Sequence, residues 1–568
     1  MAAGPVVVLG TGGAGLRAVL ELRRAGVDAV AISKGAPGAS GATPSALFSY
    51  CCARPGDPSN PTDLFCEDLM RSGVFVNDPG MVALLARDGW ARLQDLREWG
   101  MPWTHDPGGE IARAWLPGHS VPRAFFVDRR TGKALSQVLL RACLGADVKL
   151  EQYRVALDLV VEDGRVTGVA VLDLLSGEAE LWPCQAVIVA TGGAAGLYRL
   201  NTNPPGQTGD GMGLLLRAGG ELVDMEFMQM YPTVLVHPPA ARGMEIPTGR
   251  LMAQGARLLN RHGEEFFSRW EEGPVGKATR DVLARTIARE IAAGRGTDAG
   301  GVYLDARHVS AEMEHDRYVR FLKDLGVDPT SQILQVAPGA HFSLGGVRVK
   351  PASACRAPAG VFAAGEVVGG VHGANRLAGN ALTETQVFGC LAGREAIRYL
   401  HESPPRRKDS VSARPLERGE SPLWDAICDA RGRSGPGPRV HELEENLRDL
   451  MQRDAGVVRS REGLERALAL VGEMRRAFYH RLVLPSRGGR WHPELLQAVE
   501  TANLLDVAGA LLASALARTE SRGAHFRKDH PDRDPGWDGH NLVVRGVGEQ
   551  QVVFRHQRAS EDRRQVWP

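Results

Sequence analysis

No CxxC pair occurs in the sequence: its eight cysteines, at positions 51, 52, 66, 143, 184, 355, 390 and 428, are scattered. Zinc ribbons and iron–sulfur clusters therefore lack their usual ligand spacing, and no metal site is expected. A disulfide framework is not expected in a chain of 568 residues either, so the thiols read as reduced and cytosolic. Net charge is nearly absent, with 68 lysines and arginines against 67 aspartates and glutamates. That balance gives no electrostatic case for nucleic acid or for an acidic membrane surface. No uninterrupted apolar run reaches the length of a bilayer span. The opening MAAGPVVVLGTGGAG carries no basic leader, so a signal peptide is not expected and a cytoplasmic location is.

Glycine, by contrast, is abundant at 68 residues and falls in clusters, as it does where backbone approaches a ligand closely. Pro5 to Leu9 is a short apolar run ending in Gly10, followed by a helical pattern over Leu16 to Ala25 and a second apolar run, Ala29 to Ile32. This is a compact βαβ unit. Strand-to-glycine transitions recur at AVIVATGG (186–193) and GVFAAG (360–365). Three such transitions, far apart in the chain, imply one nucleotide-binding domain assembled over 1–230 and 344–400. The segment 231–343 reads as an inserted domain. Residues 401–568 read as a helix-rich C-terminal domain closed by a polar, charged tail.

Gly10-Thr11-Gly12-Gly13-Ala14-Gly15 is a GxGxxG loop directly after a strand and at the start of a helix. Such glycines permit a tight turn and bring backbone amides up to a pyrophosphate at the positive helix terminus. NAD sites usually end the second strand on an acidic residue, but here it ends Ile32-Ser33-Lys34. Ser33 and Lys34 are left to face the adenosine.

With ISKGAPGASGAT, IVATGGAAGLYRLNTNPPGQTGDGMG, VFAAGEVVGGVHGANRLAGNALTE and ARTESRGAHFRKDHPDRD, the chain resembles the flavoprotein subunits of succinate dehydrogenase and fumarate reductase over nearly its whole length. L-aspartate oxidase is in the same family. The resemblance implies an α/β (α+β overall) fold: a Rossmann-like FAD-binding domain, an inserted capping domain and a C-terminal helical domain. It implies FAD as cofactor, with Gly10, Gly12, Gly13 and Gly15 at the pyrophosphate and Ser33 and Lys34 on the adenosine side. Ser40 and Ala42 would lie near the flavin, and Ala190, Thr191 and Gly192 would make a second contact. Asp210 and Glu366 match ribose-side carboxylates, and Asn380, Ala381 and Leu382 the flavin-contacting turn. At the substrate, Arg280 matches the arginine that protonates carbon, His341 and Arg376 a carboxylate clamp, and Thr248 the contact to a second carboxylate. Arginine suits a clamp because its planar fork pairs bidentately with carboxylate.

The departures lie at the substrate end. The family histidine of FHPT is Tyr231; the glutamate and arginine that form its proton relay are Gly249 and Met252; and its AQGG string is Ser45-Ala46-Leu47-Phe48. Arg280 therefore lacks its usual proton supply unless Arg250 or Glu245 provides it. The reading is an FAD-dependent oxidoreductase of the succinate dehydrogenase/fumarate reductase type, acting on a small carboxylate substrate. The alternatives are L-aspartate oxidase, an enoate or ketone oxidoreductase with another substrate, and a non-catalytic electron-transfer subunit. Any iron–sulfur relay belongs on a separate subunit. The histidine that attaches FAD covalently in the complex-bound relatives is Gly41, and no histidine occurs between Met1 and Trp103. The purified protein is expected to be yellow and to release intact FAD on acid or heat precipitation; flavin absorbance that stays with the precipitated chain contradicts this reading.

Overall fold

The computed structural model describes residues 6–47, 49–128, 130–247, 251–252, 254–309, 317–350, 353–403, 413–484 and 493–557. The elements that shape the site are, in chain order, β1 (Val6–Leu9), α1 (Gly13–Arg24), β2 (Ala29–Ser33), β3 (Lys149–Gln152), β4 (Ala186–Val189), α2 (Asp210–Arg217), β5 (Met228–His237), α3 (Arg280–Glu290), β6 (Leu334–Ser343), β7 (Val361–Ala363), α4 (Asn380–Glu402), α5 (Val440–Asp454), α6 (Arg461–Arg481) and α7 (Pro493–Ala517). The apolar runs β1 and β4 are buried at every position, as strands covered on both faces must be. They lie in a five-stranded parallel sheet of order β7-β4-β1-β2-β3. The three distant strand-to-glycine transitions thus end side by side, at the carboxyl edge where open α/β sheets bind ligands.

Between β4 and β7 the chain leaves this sheet. Strands β5 and β6 pair antiparallel and continue through 302–305 and 257–259 into a four-stranded sheet. A separate apolar cluster, including Leu235, Ile246, Leu251, Met252, Leu283, Ile287 and Val336, packs on it. The β5–β6 register slips between Tyr231 and Val234, where Pro232 has no N–H to give the ladder. Such a bulge bends the strand and re-aims the side chains beside it, of which Tyr231 is one.

Helix α7 is long and apolar enough, by length and composition, to cross a membrane, although no uninterrupted apolar run in the sequence reaches that length. The difference lies in Glu500, Asn503 and Asp506, which interrupt the apolar run without interrupting the helix. Of its most apolar window, 78% is buried inside the protein, which makes it a core helix hydrophobic all round. The expected polar tail also differs: 540–545 and 552–557 form a hairpin that pairs with 221–223. Leu542, Val543 and Val544 supply its buried centre.

A buried charge cluster joins α7 to α2 and to the strand 154–162 of a separate antiparallel sheet. Arg217, at the end of α2, donates to Asp158 at 2.8 Å, Asp506 at 2.9 Å, Asn503 at 2.9 Å and the Leu157 carbonyl at 2.9 Å. Burial alone lowers the Arg217 pKa, but Asp158 and Asp506 reverse the effect and hold it well above the ordinary value. Arg217→Ala leaves buried Asp158 without its cation and Asp506 with Arg475 alone, so it is expected to destabilise the fold by about 3–5 kcal/mol. A urea-unfolding midpoint unchanged from the parent protein would remove this cluster from the account of stability.

Candidate active site

One continuous cavity of about 1640 Å³ runs from the glycine loop to the β5–β6 sheet. At its first end Gly10 turns with φ 106°. A Cβ there would meet the Ala190 carbonyl oxygen at 2.3 Å, and a Cβ on Gly15 would meet the Gly10 carbonyl at 1.9 Å. Only glycine lets β1, α1 and β4 approach this closely. Gly10, Gly12 and Gly13 border the cavity, at the positive end of α1. Gly15 does not border it, and its part is the contact of helix with strand.

Lys34 is held rather than exposed. Its ammonium lies 2.7 Å from Asp210 and 2.6 Å from Glu500, and donates to the Gly206 carbonyl at 2.9 Å. Burial pulls its pKa down, but the two carboxylates outweigh that and raise it above the ordinary lysine value. The Ser33 hydroxyl donates to the Gly35 carbonyl at 2.7 Å and so tightens the turn after β2. Glu500, on α7, is a cavity residue that the sequence reading missed. Its signal was present: Glu500, Asn503 and Asp506 recur three apart on an otherwise apolar helix and so share one face.

Further along, Ser40, Gly41, Ala42, Ala190, Thr191, Gly192, Ala381 and Leu382 all border the cavity. A Cβ on Gly192 would meet Gln207 Oε1 at 2.4 Å. Helix α4 starts after Gly379, whose φ is 80°, and directs its first amides toward the same space. Asn380 lies behind this wall, its amide donating to the Leu377 carbonyl at 3.1 Å, so it holds the turn rather than facing the cavity. Glu366 borders the cavity and accepts the Ser343 N–H at 2.9 Å. Burial pushes its carboxyl up to about 7, against the lowering effects of that N–H and Arg376, while Glu384 adds to the rise.

At the far end Arg280, the first residue of α3, meets Arg376 from the loop before α4 and His341 from β6. Arg280 stands 5.0 Å over the Tyr231 ring and Arg376 4.3 Å over the Phe342 ring. Among the described residues neither guanidinium forms an ion pair, and Arg376 Nε is buried without a hydrogen-bond partner. Burial, then repulsion by Arg280, lowers the Arg376 pKa to about 10, although Glu366, Glu384 and Glu245 oppose this. Burial and the two arginines push His341 well below its ordinary value, so the imidazole is neutral. Its Nδ1 lies 2.8 Å from the Thr202 hydroxyl and 3.7 Å from Glu245 Oε2. Tyr231 packs on it at 5.1 Å between ring centroids. Thr202 was not anticipated as a site residue. Thr248, Gly249, Arg250 and Phe48 lie outside the described residues.

Two guanidiniums in one cavity, Arg376 buried and Arg280 half-buried, with no ion pair among the described residues, call for an anionic ligand with carboxylate geometry. Glycine walls and two helix N-termini suit the rest of the cavity to a dinucleotide. Together these features define a dinucleotide-dependent oxidoreductase with an anion clamp. A family model described as an FAD binding domain matches residues 5–382, and one described as the fumarate reductase flavoprotein C-terminus matches 444–562. One of the subunits of the CoM/CoB fumarate reductase of Methanothermobacter marburgensis is 36% identical, covering 97% of this chain and 98% of that one. The Mycobacterium tuberculosis fumarate reductase flavoprotein subunit is 32% identical, covering 95% and 94%. The quinol fumarate reductase structure of E. coli is 27% identical, with a TM-score of 0.87 and coverage of 98% and 97%. The chain belongs to the succinate dehydrogenase/fumarate reductase flavoprotein family and is an FAD-dependent oxidoreductase.

The Glu366 carboxyl gives a pH prediction. Its folded pKa of about 7 lies above the ordinary 4.5, so the folded chain holds this proton more tightly than the unfolded chain does. The resulting stability is fully present below 4.5 and is lost as pH rises through about 7. FAD-free protein is therefore expected to melt at progressively lower temperature across that window, and Glu366→Gln to flatten the trend. An identical pH profile in the variant would rule Glu366 out as its source.

Proposed function

We propose that this chain is the flavoprotein subunit of a fumarate reductase that adds two electrons and two protons across the double bond of a C4 dicarboxylate. The carrying observation is the pair of half-buried Arg280 and buried Arg376, neither in an ion pair among the described residues, in one cavity with the glycine-walled cradle. Gly10, Gly12 and Gly13 would hold the FAD pyrophosphate, Lys34, Asp210 and Glu500 the adenosine end, and Gly192, Ala381 and Leu382 the flavin. Gly41 leaves that attachment non-covalent. Bound FAD supplies the hydride for one carbon. Arg376 grips one substrate carboxylate with its fork, and neutral His341, steadied by Thr202, offers a hydrogen bond without adding charge. Holding the carboxylate polarises the double bond and stabilises the negative charge that develops in the transition state. Arg280 gives a proton to the adjacent carbon, where the Tyr231 ring face supports its guanidinium.

Electrons reach such a site from outside the chain. Among the described residues no group of three or more His, Cys, Asp or Glu is arranged to hold a metal. A separate iron–sulfur subunit therefore fits as partner, and any membrane association would run through partner subunits on the cytoplasmic side. The M. marburgensis relative is named as one component of its enzyme, which agrees with a multi-subunit assembly.

The test uses FAD-loaded protein, reduced viologen dye and fumarate. The parent protein is expected to oxidise the dye only when fumarate is present. Arg376→Ala is expected to abolish turnover and to weaken binding of malonate, an unreactive dicarboxylate, by about 2–5 kcal/mol, with FAD retained. A flavinylated Arg376→Ala protein with unchanged kinetics would falsify the clamp, and a parent protein inert to both fumarate and succinate would sink the activity.

A further inference from the structure

Arg376 is held at both ends, and one rung of the β5–β6 ladder supplies both grips. Gln229 on β5 lies directly across from Phe342 on β6, and residues paired in this way turn their side chains to one face of a sheet. Phe342 carries the guanidinium over its ring at 4.3 Å. Gln229 holds the other end: its Nε2 donates to the Arg376 carbonyl at 3.0 Å and to Asn375 Oδ1 at 2.8 Å. The next rung pairs Met230 with Ala340, which leaves His341 over as the bulged residue between the two rungs. Two residues along β5 from Gln229, the Tyr231 ring carries Arg280 at 5.0 Å. This short stretch of ladder thus bears on Arg280, His341 and Arg376 together.

The Gln229 amide is fixed in one orientation. A backbone carbonyl only accepts, so the amide nitrogen must face Arg376, and the same nitrogen then meets the oxygen of Asn375. Gln229 is 1% exposed, and this orientation leaves its Oε1 buried without a hydrogen-bond partner among the described residues. A leftover buried acceptor costs stability, and an apolar side chain of the same size would avoid that cost. What the glutamine secures in return is the Arg376 backbone. The two preceding residues are pinned from elsewhere: Ala374 N–H donates to the Gly73 carbonyl at 2.9 Å, Ala524 N–H to the Ala374 carbonyl at 2.8 Å, and Ser72 Oγ to the Asn375 carbonyl at 3.2 Å. Gln229 extends that series to the Arg376 carbonyl.

Resting on the reading of Arg376 as the carboxylate clamp, we propose that Gln229 is a positioning residue for substrate binding, fixing through the Arg376 backbone where the guanidinium fork meets the carboxylate. The Phe342 ring restrains the fork in one direction only, because a cation can slide across an aromatic face and keep its attraction. The backbone anchor removes that freedom. A fork displaced along the ring loses one of its two parallel hydrogen bonds to a carboxylate, and with it the specificity of bidentate pairing. The grip on the carboxylate is made in the bound substrate as well as in the transition state, so its loss falls mainly on binding.

The decisive measurement is titration of FAD-loaded protein with malonate, followed by flavin absorbance, so that chains which fail to fold or to load FAD do not register. Gln229→Met keeps the length of the side chain but cannot donate. It is expected to raise the malonate Kd about tenfold, the scale of one or two lost hydrogen bonds. With fumarate it is expected to raise KM about tenfold and to leave kcat within about threefold. Gln229→Glu is the second variant, since its carboxyl donates to the Arg376 carbonyl only while protonated. Its malonate Kd, taken relative to that of the parent protein, is expected to rise as pH rises. A parent-like Kd in loaded Gln229→Met overturns the proposal, and so does a lowered kcat with KM unchanged. If that variant loads no FAD, a parent-like Kd for Gln229→Glu at alkaline pH overturns it instead. A parent protein that binds no malonate fails the clamp reading itself, a result distinct from these.

Discussion

The repulsion between Arg280 and Arg376 is the constraint on which the substrate end depends. Two guanidiniums in one cavity repel, and burial adds a desolvation cost to Arg376. The fold supports them without quenching them. Each stands over an aromatic face, Tyr231 or Phe342, which attracts a cation without neutralising it. The carboxylates felt by Arg376, namely Glu245, Glu366 and Glu384, temper its charge without forming an ion pair with it. What is left over is attraction for an anion, in a place that the α3 start, the β6 strand and the loop before α4 fix from three directions.

The nucleotide end is built on the opposite principle. There Lys34 has two carboxylates and two further oxygen acceptors within reach, so its charge is spent inside the protein. The attraction for phosphate comes from backbone amides at the start of α1, which carry no side-chain charge to be neutralised. A cavity with fixed dipoles at one end and unspent cations at the other sorts its ligands. Pyrophosphate fits where backbone can approach, and carboxylate fits where arginine forks converge.

The nucleotide end was the more legible in sequence because its determinants are local. A glycine loop between an apolar run and a helical pattern specifies geometry within about six residues, and a Cβ at Gly10 or Gly15 has nowhere to go. The substrate end was legible only through resemblance, since Arg280, His341 and Arg376 lie on three elements that no periodicity brings together. Gly15 and Asn380 were read as cofactor contacts, but one packs helix on strand and the other holds a turn. A loop motif names residues without saying which way each faces. Glu500 was missed because it lies outside every motif, although its spacing with Asn503 and Asp506 marks a polar seam on a buried helix. Helix α7 escaped the search for long apolar runs because that same seam breaks the run.

The seam also couples the cofactor to the fold. Glu500 meets Lys34, Asn503 donates to Asp210 at 3.0 Å, and Asp506 pairs with Arg217, so one face of α7 closes the cavity beside Lys34. Without α7, Lys34 and Asp210 would keep only each other, Gly206 and Thr208 as partners, in a cavity open on the side that α7 closes. A ligand that binds only the finished cavity stabilises whatever finishes it, by an amount that grows with ligand concentration over Kd. Ligand binding in this cavity and docking of a helix about 480 residues after the glycine loop are therefore linked equilibria. The buried Arg217 cluster fastens the same helix face through contacts among the protein's own side chains, which need no ligand to form.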